Sequence, residues 1–471
     1  MDWILFTPEI FALVLALKFL FLSMSRPDSR RDYYSALVLS AAGVVVCVGC
    51  LHMEGTLFYG TYRVDLFSQV FKTLLFMGMF LVVCLCSELN GVDENRHSEF
   101  YLLLTVCTLS MMMLVSSVHL LTIYMALELS SYSLYILVFL RKGRDRGVDV
   151  SIKYFLIGAS ASAVMIFGLA LIYGAAGTAQ IQELRHILPG LLRQPDAAVG
   201  LMLALCGFFF KLAVFPFHLW APDVYEGAPN QAAAYISTVS KVAAIAILVR
   251  MVSLSGGQSI HLIHALVVLA IISMTVGNLS AIAQKDLKRL LAFSSVAHAG
   301  YVLIGILSMN QAGYAAAVFY ALTVLVLKFT CFLVVIKVAA DGQNPKIEDL
   351  AGLHRRSPIL ALALMMALFG LAGIPPTIGF TGKLLLFTAA MQAGHLVILF
   401  IAMINVVISL YYYLLVLRAA YLLEPEGEQI ELQVSTPEKF LAAALVVVMI
   451  IAGIFPNYLI EMAQAAAGMV M

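Results

Sequence analysis

Residues 206–230 read CGFFFKLAVFPFHLWAPDVYEGAPN. Lys211 stands inside an apolar segment and is followed at once by Pro216, His218 and Pro222. A lone ammonium near the middle of a bilayer costs roughly 2.5–3.5 kcal/mol on insertion scales. Pro216 lacks an N–H and crowds the preceding turn, so a helix should be interrupted just beyond the lysine. Carbonyls freed at membrane depth need protein or water partners. A cation beside broken backbone points to a small hydrated site inside a membrane protein. A snorkelling lysine next to a proline kink is the plainer alternative.

The surrounding composition supports a membrane setting. Of 471 residues, 62% are hydrophobic and only 12% charged, with a net charge of +1. Soluble domains carry about twice that charged fraction. Repeated apolar runs of about 20 residues mark transmembrane helices. Strand-period alternation is absent, which argues against a barrel. The start, MDWILFTPE, is acidic and lacks the basic region of a signal peptide, so the first helix is expected to stay in the mature protein. The seven cysteines, Cys47, Cys50, Cys84, Cys86, Cys107, Cys206 and Cys331, all lie in apolar segments. Cys47 and Cys50 have CxxC spacing, but no second pair or His cluster completes a metal site. No dinucleotide, Walker, haem or iron–sulfur pattern is present, so no cofactor is expected in this chain.

Fourteen helices are expected, near 4–24, 33–52, 66–87, 99–116, 118–140, 150–175, 197–219, 230–252, 261–283, 289–309, 312–339, 357–390, 395–422 and 438–460. The twelfth is too long for one crossing and carries GIPPTIGF at 373–380, which reads as a second broken helix. The longest connections fall around 176–196 and 423–437. Cationic residues cluster on the odd-numbered connections: Arg26, Arg30 and Arg31; Arg141, Lys142, Arg144 and Arg146; Lys285, Lys288 and Arg289; Lys346, Arg355 and Arg356. The even-numbered ones hold little beyond Arg63, Arg185, Arg193 and Arg250. Odd connections are therefore expected on the cytoplasmic side and both termini on the other.

Ionisable residues inside spans are the candidate site. They are Glu128 in the fifth helix, Lys153 in the sixth, Lys211 in the seventh and Lys241 in the eighth. His298 in the tenth, Lys328 in the eleventh and Lys383 in the twelfth complete the set. Each should face the bundle interior or a wet cavity and find a partner. Glu128 reads as the only acidic residue clearly inside a span, and so as the natural partner of a nearby lysine. Burial favours the neutral amine of a lysine and a facing carboxylate favours the ammonium. A lysine held between these influences changes its proton occupancy when its partner moves, which is the chemistry of a proton relay. Lys153 lies about a turn from its helix end, where snorkelling competes with that reading. His298 also fits an ordinary core histidine.

A faint repeat runs through the chain. VDVSIKYFLIG around Lys153 and VLVLKFTCFLV around Lys328 place a lysine before an aromatic in an apolar frame. Lys211 and Lys383, each near a proline-broken helix, are separated by almost the same distance. An odd number of helices lies between the members of each pair, so the halves would be inverted in the membrane, as in many transporters.

Several stretches carry a resemblance. They are MALELSSYSLYIL at 125–137, SIKYFLIGASASA at 151–163, FFFKLAVFPFHLWAPDVYEGAP at 208–229 and STVSKVAAI at 237–245. GNLSAIAQKDLKRLLAFSSVAHAGYVLIG at 277–305 and GIPPTIGFTGK at 373–383 continue the series. In this order they resemble the subunit N family of bacterial NADH–quinone oxidoreductase (respiratory complex I), an antiporter-like membrane subunit family. The resemblance implies an all-α polytopic membrane fold of about fourteen helices, with two inverted five-helix repeats and broken helices 7 and 12. It implies three N-terminal helices over 1–98, a first repeat over 99–253, an inverted second repeat over 261–423 and a C-terminal helix over 424–471. It further implies proton translocation in the bacterial cytoplasmic (inner) membrane, inside an enzyme whose NADH, FMN, iron–sulfur clusters and quinone sit in partner subunits. On this match Glu128, Lys211, Lys241 and Lys383 fall on the family's relay positions and Lys153 on its helix-6 lysine. Lys328 resembles a helix-11 lysine of the larger antiporter-like subunits more than the usual subunit N pattern. A related cation/proton antiporter, membrane hydrogenase or quinone reductase with another donor is the alternative, as is a non-pumping structural spacer.

Overall fold

A computed structural model of the chain describes residues 3–257, 259–339, 342–424, 432 and 434–471, without the side chains of 144–146. The first two residues of MDWILFTPE, the side chains of Arg144 and Arg146, and most of the 423–437 connection lie outside the described residues. Among the described residues, 13 helices are long and apolar enough to cross a membrane. The pair Pro358–Ala372 and Ile378–Gln392, two shorter helices separated at Gly373–Thr377, supplies one more crossing in two pieces. The fold is all-helical and membrane-spanning, and both expected interruptions are present.

Burial divides the spans by role. The apolar windows of Asn230–Ser253, Leu287–Leu307 and Gln311–Val338 are 100%, 94% and 94% buried, against 33% for Trp3–Ser23 and 28% for Ser29–Gly49. Those three central spans carry Lys241, His298 and Lys328. A helix that is apolar all round and wholly enclosed exposes its polar residues only to other protein groups.

Local sequence sets the helix ends. Asp65 accepts from the backbone N–H of Ser68 at 2.8 Å, while Ser68 Oγ accepts from the Asp65 N–H at 3.0 Å, a reciprocal cap on Leu66–Cys84. Asn310 caps Gln311–Val338 through the Gly313 N–H at 2.8 Å. The seventh span, expected as 197–219, runs helical over Pro195–Leu212, turns at Ala213 with φ +63°, and resumes as Trp220–Gly227. The eighth, expected as continuous, bends at Thr238 between Asn230–Ser237 and Val239–Ser253. The hydroxyl of Thr238 bonds back to the Ala234 carbonyl at 2.7 Å, so hydroxyl-to-backbone bonding accompanies the bend.

The connections hold elements that hydropathy did not reveal. Gly55–Leu57 pairs antiparallel with Tyr62–Val64 in a short hairpin. Ile181–Leu191 is a separate amphipathic helix inside the 176–196 connection. The last expected helix, 438–460, divides into Thr436–Ile454 and Asn457–Gly468 around Pro456.

Candidate functional site

The site begins with four carbonyls. The last turn of a helix leaves its C-terminal C=O groups without intrahelical donors, and at membrane depth each needs another partner. At the end of Pro195–Leu212, the Phe209 carbonyl accepts from the Val214 N–H at 2.9 Å and that of Phe210 from the Ala213 N–H at 3.0 Å. Trp220 Nε1 also donates to Phe210 at 3.0 Å. The remaining two, on Lys211 and Leu212, both accept from Lys241 Nζ, at 3.2 and 2.7 Å. The ammonium also lies 5.0 Å from the centre of the Trp220 ring.

The twelfth span repeats this arrangement. At the end of Pro358–Ala372, the Phe369 carbonyl accepts from Ile374 N–H at 2.9 Å and the Gly370 carbonyl from Gly373 N–H at 3.0 Å. The last two carbonyls, of Leu371 and Ala372, accept from Lys383 Nζ at 2.8 and 3.0 Å. Lys383 Nζ stands 4.6 Å from the centre of the Tyr301 ring. Spacing in the sequence paired Lys383 with Lys211; the geometry pairs it with Lys241. Each of these lysines caps the negative end of a half-helix, where a cation is stabilised. The break follows Lys211 but precedes Lys383, and this reassignment accounts for the difference.

Lys211 itself points elsewhere. It is 1% exposed, and its Nζ donates to Ser131 Oγ at 2.9 Å. Glu128 lies one turn before Ser131 on Leu120–Phe139, is buried, and accepts from the Ser162 hydroxyl. Among the described residues Glu128 and Lys211 form no ion pair; Lys211 bonds Ser131, which donates on to the Leu127 carbonyl, and Glu128 bonds Ser162.

In the other half a hydrogen-bonded chain crosses the core. Lys328 Nζ donates to the Leu291 carbonyl at 2.8 Å and to Ser294 Oγ at 2.7 Å. Ser294 Oγ is 2.5 Å from the Tyr413 hydroxyl, which is 3.3 Å from His298 Nε2. His298 Nδ1 is 2.6 Å from the Tyr320 hydroxyl. All five side chains are buried. His298 is thus linked on both ring nitrogens, and its ring meets Tyr301, the same tyrosine that faces Lys383, edge-on at 5.8 Å.

Lys153 is not brought to this set. Its side chain is 62% exposed and meets Asp223 at 2.7 Å. Asp223 also binds Arg289 at 3.0 Å, and Arg289 reaches Glu226 at 2.7 Å.

Sequence reasoning missed Ser131, Ser294, Tyr320 and Tyr413, because hydroxyls in apolar helices give no periodic signal. It also missed a buried pair. Glu9 and Lys72 are both 0% exposed and 2.7 Å apart, and the Tyr62 hydroxyl donates to Glu9 at 2.6 Å. Glu128 is therefore not the only acidic residue enclosed within a span. Glu9 sits in the first turn of Thr7–Ser23, where proximity to a helix end disguises burial. Lys72, midway along Leu66–Cys84, was legible from FSQVFKTLLF.

Comparison with known proteins bears on the fold and the family. The family described as NADH:quinone oxidoreductase/Mrp antiporter, TM, matches residues 117–409. The NADH-quinone oxidoreductase subunit N 2 of Syntrophobacter fumaroxidans is 61% identical over 468 residues, 99% of each chain. That of Opitutus terrae is 38% identical over 463 residues, covering 98% of this chain and 97% of the relative. A chain of respiratory complex I from Thermus thermophilus with bound aureothin superposes with a TM-score of 0.84 at 34% identity, over 96% of this chain and 98% of that one. A chain of the Mrp complex from Dietzia sp. shares the fold, with a TM-score of 0.88 at 22% identity over 99% and 97% of the two chains. With two helix breaks capped in the same way and relatives matched over nearly the whole length, the chain belongs to the subunit N family of NADH-quinone oxidoreductases, antiporter-like membrane subunits.

Proposed function

We propose that this chain carries protons across the membrane as the subunit N of a complex I-type NADH:quinone oxidoreductase. In this reading Lys241 and Lys383 are the central and terminal relay groups, and Glu128 and Lys211 the input side. Ser131 holds Lys211 one turn from Glu128, and the chain from Lys328 through Ser294, Tyr413 and His298 to Tyr320 joins the central region to the second half. Lys153 belongs to the rim.

The observation that carries the proposal is the repeated capping of a broken helix by a buried lysine. Two carbonyls and a half-helix dipole hold the ammonium form in place. Sliding of the half-helix by one hydrogen-bond length withdraws those acceptors and leaves a buried cation without compensation, which favours release of its proton to a neighbour. Rebuilding the cap favours uptake. A change in backbone position thereby becomes a change in proton occupancy. The partner subunits would supply NADH oxidation, the flavin, the iron–sulfur clusters and the quinone. The loop charges support odd connections on the cytoplasmic side of a bacterial inner membrane, with both termini opposite. The division into three N-terminal helices, two inverted five-helix repeats and a last helix is part of the same proposal.

The test uses the assembled enzyme in sealed vesicles. Lys241→Met and Lys383→Met keep side-chain length and delete the titratable group, so each should assemble yet lower NADH-driven proton uptake by roughly tenfold or more. Arginine at either position holds its charge permanently and should fail as well. Normal uptake in all four variants would remove the relay and leave a spacer.

A further inference from the structure

The arginines that break the charge asymmetry are not scattered. Arg63, Arg185 and Arg250, three of the four on even-numbered connections, line one small open cleft together with Val118, Gln182 and Val470. They come from three separate elements: the hairpin strand Tyr62–Val64, the amphipathic helix Ile181–Leu191 and the end of Val239–Ser253. Nothing local in the chain requires them to meet.

Their charges are poorly matched. Among the described residues Asp65 is the one carboxylate in ion pairs with this cluster, at 3.4 Å from Arg63 and 3.3 Å from Arg250. It is also committed to capping Ser68. Arg185 has no ion pair among the described residues, and it donates to the Val470 carbonyl at 2.5 Å. Burial, and then the charges of Arg63 and Arg250, hold its guanidinium below the usual range. Arg250 is 4% exposed, and its Nη2 reaches Asp65 and the Val115 carbonyl. Its Nε has no hydrogen-bond partner among the described residues. A buried N–H of a charged group left unsatisfied is costly, so a ligand acceptor there is stabilising.

We propose that this cleft binds a phosphate-class oxyanion, supplied either by the headgroup of an anionic phospholipid or by free phosphate. Three guanidiniums against one carboxylate leave two positive charges to neutralise. The planar fork of arginine matches phosphate oxygens bidentately, where a lysine would act only as a point charge. An oxygen seated among the three would satisfy Arg250 Nε and relieve the repulsion on Arg185. The site goes beyond proton transfer, since none of the relay residues lines it.

The full chain, purified with its co-purifying subunits and stripped of lipid in a neutral detergent, provides the test. Phosphatidylglycerol in mixed micelles, or inorganic phosphate, is titrated while the thermal unfolding midpoint is followed, and retained lipid is weighed by native mass spectrometry. The midpoint should rise with at least one probe. A rise with phosphatidylglycerol alone identifies the lipid headgroup as the source, and a rise with phosphate as well identifies a free-anion site. Arg63 and Arg185 are partly exposed, so Arg63→Gln/Arg185→Gln should fold, and it should bind the active probe at least tenfold more weakly. Arg63→Lys/Arg185→Lys should keep part of the affinity. Absence of any shift in the unsubstituted protein, or an equal shift in the glutamine variant, overturns the proposal.

Discussion

At the scale of single residues, the relay depends on what each buried ammonium can donate to. Lys211 has one side-chain acceptor, Ser131, and Ser131 stands one turn from Glu128. Removing that hydroxyl takes an acceptor from a buried charge, and a hydrogen bond to a charged group contributes about 1.5–3 kcal/mol. Ser131→Ala should therefore assemble normally and lower proton uptake by roughly tenfold, approaching the loss in Glu128→Gln. Ser131→Thr keeps the hydroxyl and should retain most of the uptake. If Ser131→Ala pumps normally, the serine is a bystander and another group must link Glu128 to Lys211.

At the scale of the element, the broken helices are held open by backbone that other residues do not adopt easily. Gly373 has φ +87°, and a Cβ there would come within 2.9 Å of Lys383 Cδ. Gly379 passes so close to the Gly370 carbonyl that a Cβ has no room. Gly373→Ala thus combines left-handed strain, about 1 kcal/mol or more, with displacement of the very side chain that caps the break. Proton uptake should fall in Gly373→Ala with the lysine still present. Gly394, also at positive φ but with open space around it, is the control: Gly394→Ala should carry the strain and leave uptake intact. Equal uptake in the two variants would mean that the position of Lys383 is unimportant.

For the whole molecule, the topology follows from charge summed over many connections rather than from any one. Reporters fused at either terminus should label from the non-cytoplasmic side, and a tag inserted at 143–147 from the cytoplasmic side. A cytoplasmic C-terminus would require an odd number of crossings, in conflict with the thirteen long spans and the one crossing made in two shorter pieces among the described residues. The same global view separates the two kinds of buried charge. Lys72–Glu9 is an enclosed ion pair, suited to fixing geometry. Among the described residues Lys241 and Lys383 have no carboxylate partner and rest on backbone carbonyls, which a small movement can withdraw.

The sequence by itself determined the spans, because a run of about 20 apolar residues has one stable place and each run is local. It also determined both helix breaks, since a proline's missing N–H and a glycine's freedom act within a turn or two of where they stand. It identified Glu128, Lys211, Lys241, His298, Lys328 and Lys383 as enclosed, because an ionisable residue in an apolar run must be sheltered. What those residues touch was decided only by the tertiary structure. Lys241 reaches carbonyls 29 and 30 positions earlier in the chain, and Lys328 reaches a serine 34 positions away. The meeting of Arg63, Arg185 and Arg250 is likewise set by which helices pack together. Hydropathy and helix-breaking are properties of a window, whereas a hydrogen-bond partner belongs to a neighbour, and neighbours are chosen by packing over the whole bundle.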